Sequence, residues 1–216
     1  MYTPEQFKVE DVAEMHALMR ANPFATLVTH GPEGLIATHL PVVLKADGES
    51  PLGRLECHLA RPNSHWRLFD PALEALLIFH GREAYIRPGW YPSKAETAKA
   101  VPTWNYEAVH AYGRIELQTG KDWLLRHVGE LSEQQEAPFT ERWSTSDAPE
   151  SYMDVMLRGI VGLSLSLVRL EGKAKMSQNR ELRDRAGVVS GLRARALGDD
   201  AAVAELVAAS INKPRG

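Results

Sequence analysis

The segment Gly53-Arg-Leu-Glu-Cys-His-Leu-Ala-Arg-Pro-Asn-Ser-His-Trp66 constrains the fold more than any other stretch of this chain. Leu55, Cys57 and Leu59 alternate with Arg54, Glu56 and His58, the period of a half-buried β-strand. Pro62 stops that strand, and Asn63 or Ser64 can cap a helix beginning there. A strand running into a helix N-terminus presents unpaired backbone N–H groups and a positive dipole end, which suits a phosphate. Arg61 and His65 flank the point and could add charge-assisted hydrogen bonds. An ordinary strand-to-helix connection with a polar rim accounts for the same residues equally well.

The alternation recurs along the chain. Residues 24–29 and 35–44 read as strands around the turn His30-Gly-Pro-Glu-Gly34, with an interruption at Pro41, and so form a hairpin. Further strands are predicted over 53–60, 73–80, 109–117 and 160–170, with Ala84-Tyr-Ile-Arg87 following Gly81. Val12, Met15, Leu18 and Met19 recur at helical spacing, giving a helix over about 10–21, and Thr3-Pro4-Glu5-Gln6 has the pattern of a capping box. Ser93-Lys-Ala-Glu96 is a second such pattern, and helices are predicted over 121–136, 179–195 and 199–212. Six or seven strands joined mostly by short turns predict a mainly β fold, an antiparallel sheet closing into a barrel with peripheral helices. Residues 1–216 form one domain in this reading, with about 176–216 as a C-terminal helical extension. No Gly-x-Gly-x-x-Gly follows a strand, which argues against a dinucleotide fold.

Charge and composition remove several function classes. A net charge of −3 gives no global attraction to nucleic acid or an anionic membrane. No apolar stretch approaches a membrane span, and the N-terminus lacks the regions of a signal peptide, so a cytoplasmic location is expected. The single Cys57 fits a reducing compartment and cannot build a thiolate zinc site. The eight histidines include no His-Glu-x-x-His, no Gly-x-Ser-x-Gly elbow is present, and no catalytic residue or metal ligand is assigned. Residues 173–195 hold seven basic side chains against two acidic ones, which suits either a phosphate or nucleic-acid surface or a solvated helix face.

Three further clusters are candidates for ligand binding. Thr38-His39-Leu40-Pro41 closes a strand. Pro88–Lys94 and Val101–Tyr106 are expected as proline-bounded loops, where Trp90, Tyr91, Trp104 and Tyr106 could stack on a planar ligand and Ser93, Thr103 and Asn105 could bond its edge. Packing of these aromatics against a barrel rim is the plainer alternative. Lys175, Ser177, Gln178 and Asn179 cluster after the last strand, either as a helix cap or as ligand contacts.

Taken in order, Met1-Tyr2 with Pro4, His39-Leu-Pro41, His58-Leu-Ala-Arg-Pro-Asn-Ser-His-Trp66, Trp90-Tyr-Pro-Ser-Lys94, Val101-Pro-Thr-Trp-Asn-Tyr106 with Val109-His110, and Lys175-Met-Ser-Gln-Asn179 resemble the motif series of the PaiB family. The resemblance covers most of the chain. It implies an FMN-binding split β-barrel related to the pyridoxamine phosphate oxidases, a homodimer with flavin at the subunit interface, and a role as an FMN-binding negative transcriptional regulator, with DNA as a partner. An FMN-dependent oxidoreductase and a haem-binding split barrel are the alternatives. Carried onto this chain, the resemblance makes Thr38, His39, Leu40, Pro41, His58, Leu59, Ala60, Arg61, Asn63, His65, Trp66, Thr103, Trp104, Asn105, Lys175 and Gln178 the expected cofactor-binding residues. His65 falls near a phosphate ligand that is more commonly lysine or arginine.

Overall fold

The computed structural model describes residues 1–46, 48 and 50–212. The strands are β1 (Lys8–Val9), β2 (Phe24–Gly31), β3 (Gly34–Pro41), β4 (Val43–Lys45), β5 (Arg54–Ala60), β6 (Ala75–Ile86), β7 (Thr103–Gln118) and β8 (Ile160–Lys175). The helices are α1 (Val12–Ala21), the single turn α2 (His65–Leu68), α3 (Pro92–Thr97), α4 (Lys121–Glu136), α5 (Glu150–Arg158), α6 (Leu182–Arg195) and α7 (Asp200–Asn212). The strands make one sheet in the order β3-β2-β6-β7-β8-β5-β4, with β1 added on β8. The β2–β3 hairpin runs from Phe24 opposite Pro41 to Gly31 opposite Gly34, and Gly34 takes the φ of +109° that its turn requires. β5 runs antiparallel to β8 from Arg54 opposite Ser166 to Ala60 opposite Ile160.

The hydrogen-bonded path ends at β3 and β4, which do not pair with each other among the described residues, so the ladder does not close as the alternation suggested. β4 is three residues long, and Pro41 at the end of β3 has no N–H to extend a ladder.

Several elements outrun their sequence signals. β6 passes through Gly81 without a break. β7 begins at Thr103, so Thr103, Trp104 and Asn105 lie on a strand and not in a loop. Neither expected N-terminal capping box forms: Pro4 and Tyr91 stand at the N-cap positions, and Ser93 turns its hydroxyl to Asp184 Oδ2 at 2.6 Å. α5 shows no clear apolar stripe in the sequence, because its three exposed apolar residues Tyr152, Val155 and Met156 obscure the buried pair Met153 and Leu157.

The chain divides into two compact units, to which β6, β7 and β8 each contribute a part. The first comprises residues 1–11, 80–109 and 171–216. Its core joins Ala84 and Ile86 of β6 to Val188 and Leu192 of α6 and to Val203, Ala204 and Val207 of α7. The second comprises residues 12–79 and 110–170, and its core is built from Leu27, Leu55, Cys57, Leu77, Leu163 and Leu165, all at most 1% exposed. Full burial of each such leucine contributes about 1.5–3 kcal/mol. No helix among the described residues is long and apolar enough to cross a membrane.

Candidate functional site

In the second unit the alternation of β5 places Leu55, Cys57 and Leu59 in the core, while its other face carries Arg54, Glu56 and His58. That face is covered and not solvated. Glu56 is 1% exposed and takes Arg126 of α4 through both guanidinium nitrogens, at 2.9 and 3.2 Å, together with Arg54 Nε at 3.2 Å. Arg126 also reaches Glu130 at 2.8 Å, and Lys45 bonds the same carboxylate group at 2.6 Å. His58 Nδ1 lies 3.0 Å from Nε2 of the fully buried His127, whose ring stacks on Trp123. Nδ1 of His127 has no hydrogen-bond partner among the described residues. Burial, His58 and the cations Arg126 and Lys45 push the pKa of His127 down to about 3, and burial lowers that of His58. Both rings are therefore neutral at physiological pH. Glu56, Arg126 and His127 were not singled out in the sequence. The polar spacing Trp123, Arg126, His127, Glu130 along one face of α4 is the signal that could have found them.

The loop after β5 departs most from expectation. α2 is one turn long, and Ser64 makes no side-chain cap; Asn63 does the capping, its Oδ1 accepting from the His65 amide at 3.0 Å. His65 is 1% exposed, and its two ring nitrogens each face a threonine hydroxyl at 2.8 Å, Nε2 that of Thr29 and Nδ1 that of Thr38. Burial lowers its pKa, so it is a neutral bridge within the fold and neither nitrogen is left for a phosphate. Arg61 is equally committed: Nε donates to the Arg158 carbonyl at 2.7 Å and Nη2 to the Ile160 carbonyl at 2.8 Å, while Trp66 Nε1 donates to the Arg61 carbonyl at 3.0 Å. Thr38 also accepts weakly from Asn63 at 3.4 Å. His39 is exposed, bonded to Thr26 at 2.9 Å and stacked beside Phe24. Leu40 and Leu59 are core residues, Pro41 ends β3, and Ala60 ends β5 exposed. The second unit thus gathers Thr38, Asn63 and His65, with Thr29, into one hydrogen-bonded network, while Arg61 is held separately by backbone carbonyls.

The first unit holds the remaining candidates. Asn105 is fully buried, and its side-chain amide exchanges hydrogen bonds with Ser177 Oγ at 3.0 and 3.2 Å. Ser177 sits at φ +63°, a left-handed conformation unusual for a side-chain-bearing residue. Gln178 clamps the same turn, accepting from the Met176 amide at 2.6 Å and donating to the Ala174 carbonyl at 2.7 Å. This rigid turn presents Lys175, whose ammonium donates to the Thr103 hydroxyl. Burial and the like charges of Lys173 and Arg180 lower its pKa. Lys173 is 8% exposed, donates to the Tyr2 carbonyl at 3.0 Å and lies over the Tyr106 ring; Arg180 lies over Tyr91. None of these three cations has an ion-pair partner among the described residues. Trp104 alternates with Thr103 and Asn105 along β7 and packs edge-on against Tyr85 instead, so it leaves this group.

A family model described as "Putative FMN-binding domain" matches residues 1–169. The chain belongs to this FMN-binding family. It is 32% identical over 192 residues to the "Protease synthase and sporulation protein PAI 2" of Bacillus subtilis, covering 89% of each chain, which makes it PaiB-like as its motif series implied. It is likewise 32% identical over 225 residues to the "Uncharacterized protein AN0679" of Emericella nidulans, covering 88% of this chain and 90% of that one. Among solved structures, the conserved hypothetical protein Rv2991 of Mycobacterium tuberculosis matches with a TM-score of 0.58 at 14% identity, over 84% of this chain and 94% of that one. The flavocytochrome Anf3 of Azotobacter vinelandii matches with 0.56 at 12% identity, over 83% and 75%. These likenesses show the split-barrel fold of this FMN-binding family member.

Proposed function

We propose that this FMN-binding split-barrel protein holds the flavin phosphate against Lys175 and Thr103 in its first unit. The observation that carries the reading is electrostatic. Lys175, Lys173 and Arg180 crowd together without a carboxylate partner among the described residues, so an anion that joins them relieves mutual repulsion. A phosphate fits this donor set of an ammonium, a hydroxyl and a guanidinium. The turn built by Asn105, Ser177 and Gln178 fixes the cations before any ligand arrives, which reduces the ordering cost of binding. The loop 61–66 supports the positioning of β3 and β5 and not the phosphate itself. When bound, FMN supplies one- and two-electron redox chemistry.

The protein acts in this reading as a cytoplasmic homodimer, and any regulatory role works with the flavin bound. The basic run does not favour direct contact with DNA. Arg183 is paired with Glu96 and Glu181, Arg193 with Glu205 and Arg195 with Asp200, so the charge of these three arginines is neutralised within the first unit. Titration with FMN followed by flavin fluorescence tests the proposal, using Lys175→Ala and Lys175→Arg. Loss of a charge-assisted bond should weaken binding by about tenfold or more in the alanine variant, with arginine retaining most of it. Unchanged affinity in Lys175→Ala would remove the phosphate from this site. The spectrum of the purified protein separates flavin from haem. Duplex DNA binding that falls steeply with salt supports a regulator, and turnover of NADH or NADPH supports an oxidoreductase.

A further inference from the structure

The geometry points to a second ligand site, in the first unit, for a quaternary ammonium compound. A cavity of about 490 Å³ opens between the outward face of β6, the start of β7 and the α6–α7 connection. Two of its walls are aromatic. Tyr85 and Trp104 stand nearly at right angles, 68° apart with ring centroids 6.0 Å distant, and remain 39% and 50% exposed. Leu197 adds an apolar rim and is 66% exposed. Two steeply inclined, partly exposed rings form adjacent sides of a box, and the free face of an aromatic ring attracts a cation.

The charge around the box selects the sign of the ligand, and the hydrogen bonding selects its kind. Glu83, Asp199 and Asp200 line the cavity, against one cation, Arg195. Asp200 is committed to Arg195 and to the Leu197 amide, and Asp199 to Arg82 and the Glu83 amide. Each of these two carboxylates is thereby tied to an arginine and a backbone amide of the fold. Glu83 has no side-chain partner among the described residues, so its charge is left over at the mouth. What remains for a ligand is ring surface, an apolar rim and a net negative potential. A primary ammonium is strongly hydrated and would exchange its water hydrogen bonds for little more than the Glu83 carboxylate, since ring faces and an apolar rim offer no lone pairs. A trimethylammonium group has no N–H to satisfy and is weakly hydrated, so the same surroundings suit it. The site is separate from the Lys175 group, from whose residues Trp104 is turned away along β7.

Titration of the full-length, FMN-loaded protein with choline or tetramethylammonium, followed by tryptophan fluorescence, tests the assignment. Saturable binding is expected, with 3,3-dimethylbutan-1-ol, a neutral isostere of choline, and methylammonium both binding much more weakly. Trp104→Ala should weaken choline binding about three- to thirtyfold, the range of a cation–π contact. Trp104→Phe should retain most of it, and Glu83→Gln should weaken it while reducing its salt dependence. FMN affinity should be unchanged in all three variants. Equal binding of the neutral isostere, absence of saturation by about 10 mM choline, where even weak complexes form, or undiminished choline binding in folded Trp104→Ala would overturn the assignment. Loss of FMN in Trp104→Phe and Trp104→Ala would place the aromatic pair in the flavin site instead. If Trp104→Ala does not fold, Glu83→Gln and the isostere comparison decide alone.

Discussion

Acid should unfold this protein in part through one buried ring. His127 lies fully buried against Trp123 with its Nε2 on His58, and its pKa in the fold is pushed down to about 3. Unfolding releases it to an ordinary value near 6.5. The folded pKa is the lower one, so between the two values the unfolded chain binds the extra proton. Stability from this group is complete above pH 6.5 and is lost as pH falls through the window down to about 3. Between pH 7 and pH 5 the loss works out at about 2 kcal/mol, at about 1.4 kcal/mol per pH unit once below 6.5. That is a large share of the roughly 5–15 kcal/mol that holds a typical domain together. His127→Phe is the informative variant, because a phenyl ring preserves the stack on Trp123 and takes no proton. Urea unfolding followed by tryptophan fluorescence at pH 7, 6 and 5 should show wild type losing about 2 kcal/mol more than His127→Phe over that interval. Acid-sensitive carboxylates elsewhere affect both proteins alike and cancel in the difference. Parallel pH profiles in the two proteins would refute the reasoning.

Other outcomes follow from the packing. His65→Leu should lower stability by about 1–3 kcal/mol, because the buried Thr29 hydroxyl loses its partner. Thermal melting should show that loss, and flavin titration of the folded variant should show an affinity close to wild type. Gly187→Ala should also destabilise, by about 1–3 kcal/mol. A Cβ there would sit 2.0 Å from the Trp90 carbonyl oxygen, which outweighs the gain in helix propensity, and a melting midpoint at or above wild type would contradict the contact. Asn105→Ala should cost about 1–3 kcal/mol by stranding the buried Ser177 hydroxyl. It should also weaken FMN binding through a looser Lys175 turn, measurable by the same titration.

Local patterning in the chain was enough to establish most strands and most helices, because alternation and helical spacing are set by which side chains must leave water. Leu55, Cys57 and Leu59 are in the core as their period requires, and α1 and α4 occupy the residues their apolar spacing marked. The motif series likewise placed the chain in its FMN-binding family without coordinates. Tertiary structure alone decided what the polar residues do. His65 reads as a phosphate ligand beside a helix start, yet Thr29 and Thr38, far away in sequence, close on both its nitrogens and burial keeps it neutral. Glu56 and His58 read as the solvent face of a strand, and α4, some 70 residues later, supplies Arg126 and His127 to cover them. Trp104 shares a motif with Thr103 and Asn105 but faces Tyr85, since neighbours on a strand point to opposite sides. A hydrophobic pattern is a property of each segment and its solvent. The state of a charge or a ring nitrogen depends on which distant partners the fold brings within hydrogen-bond reach.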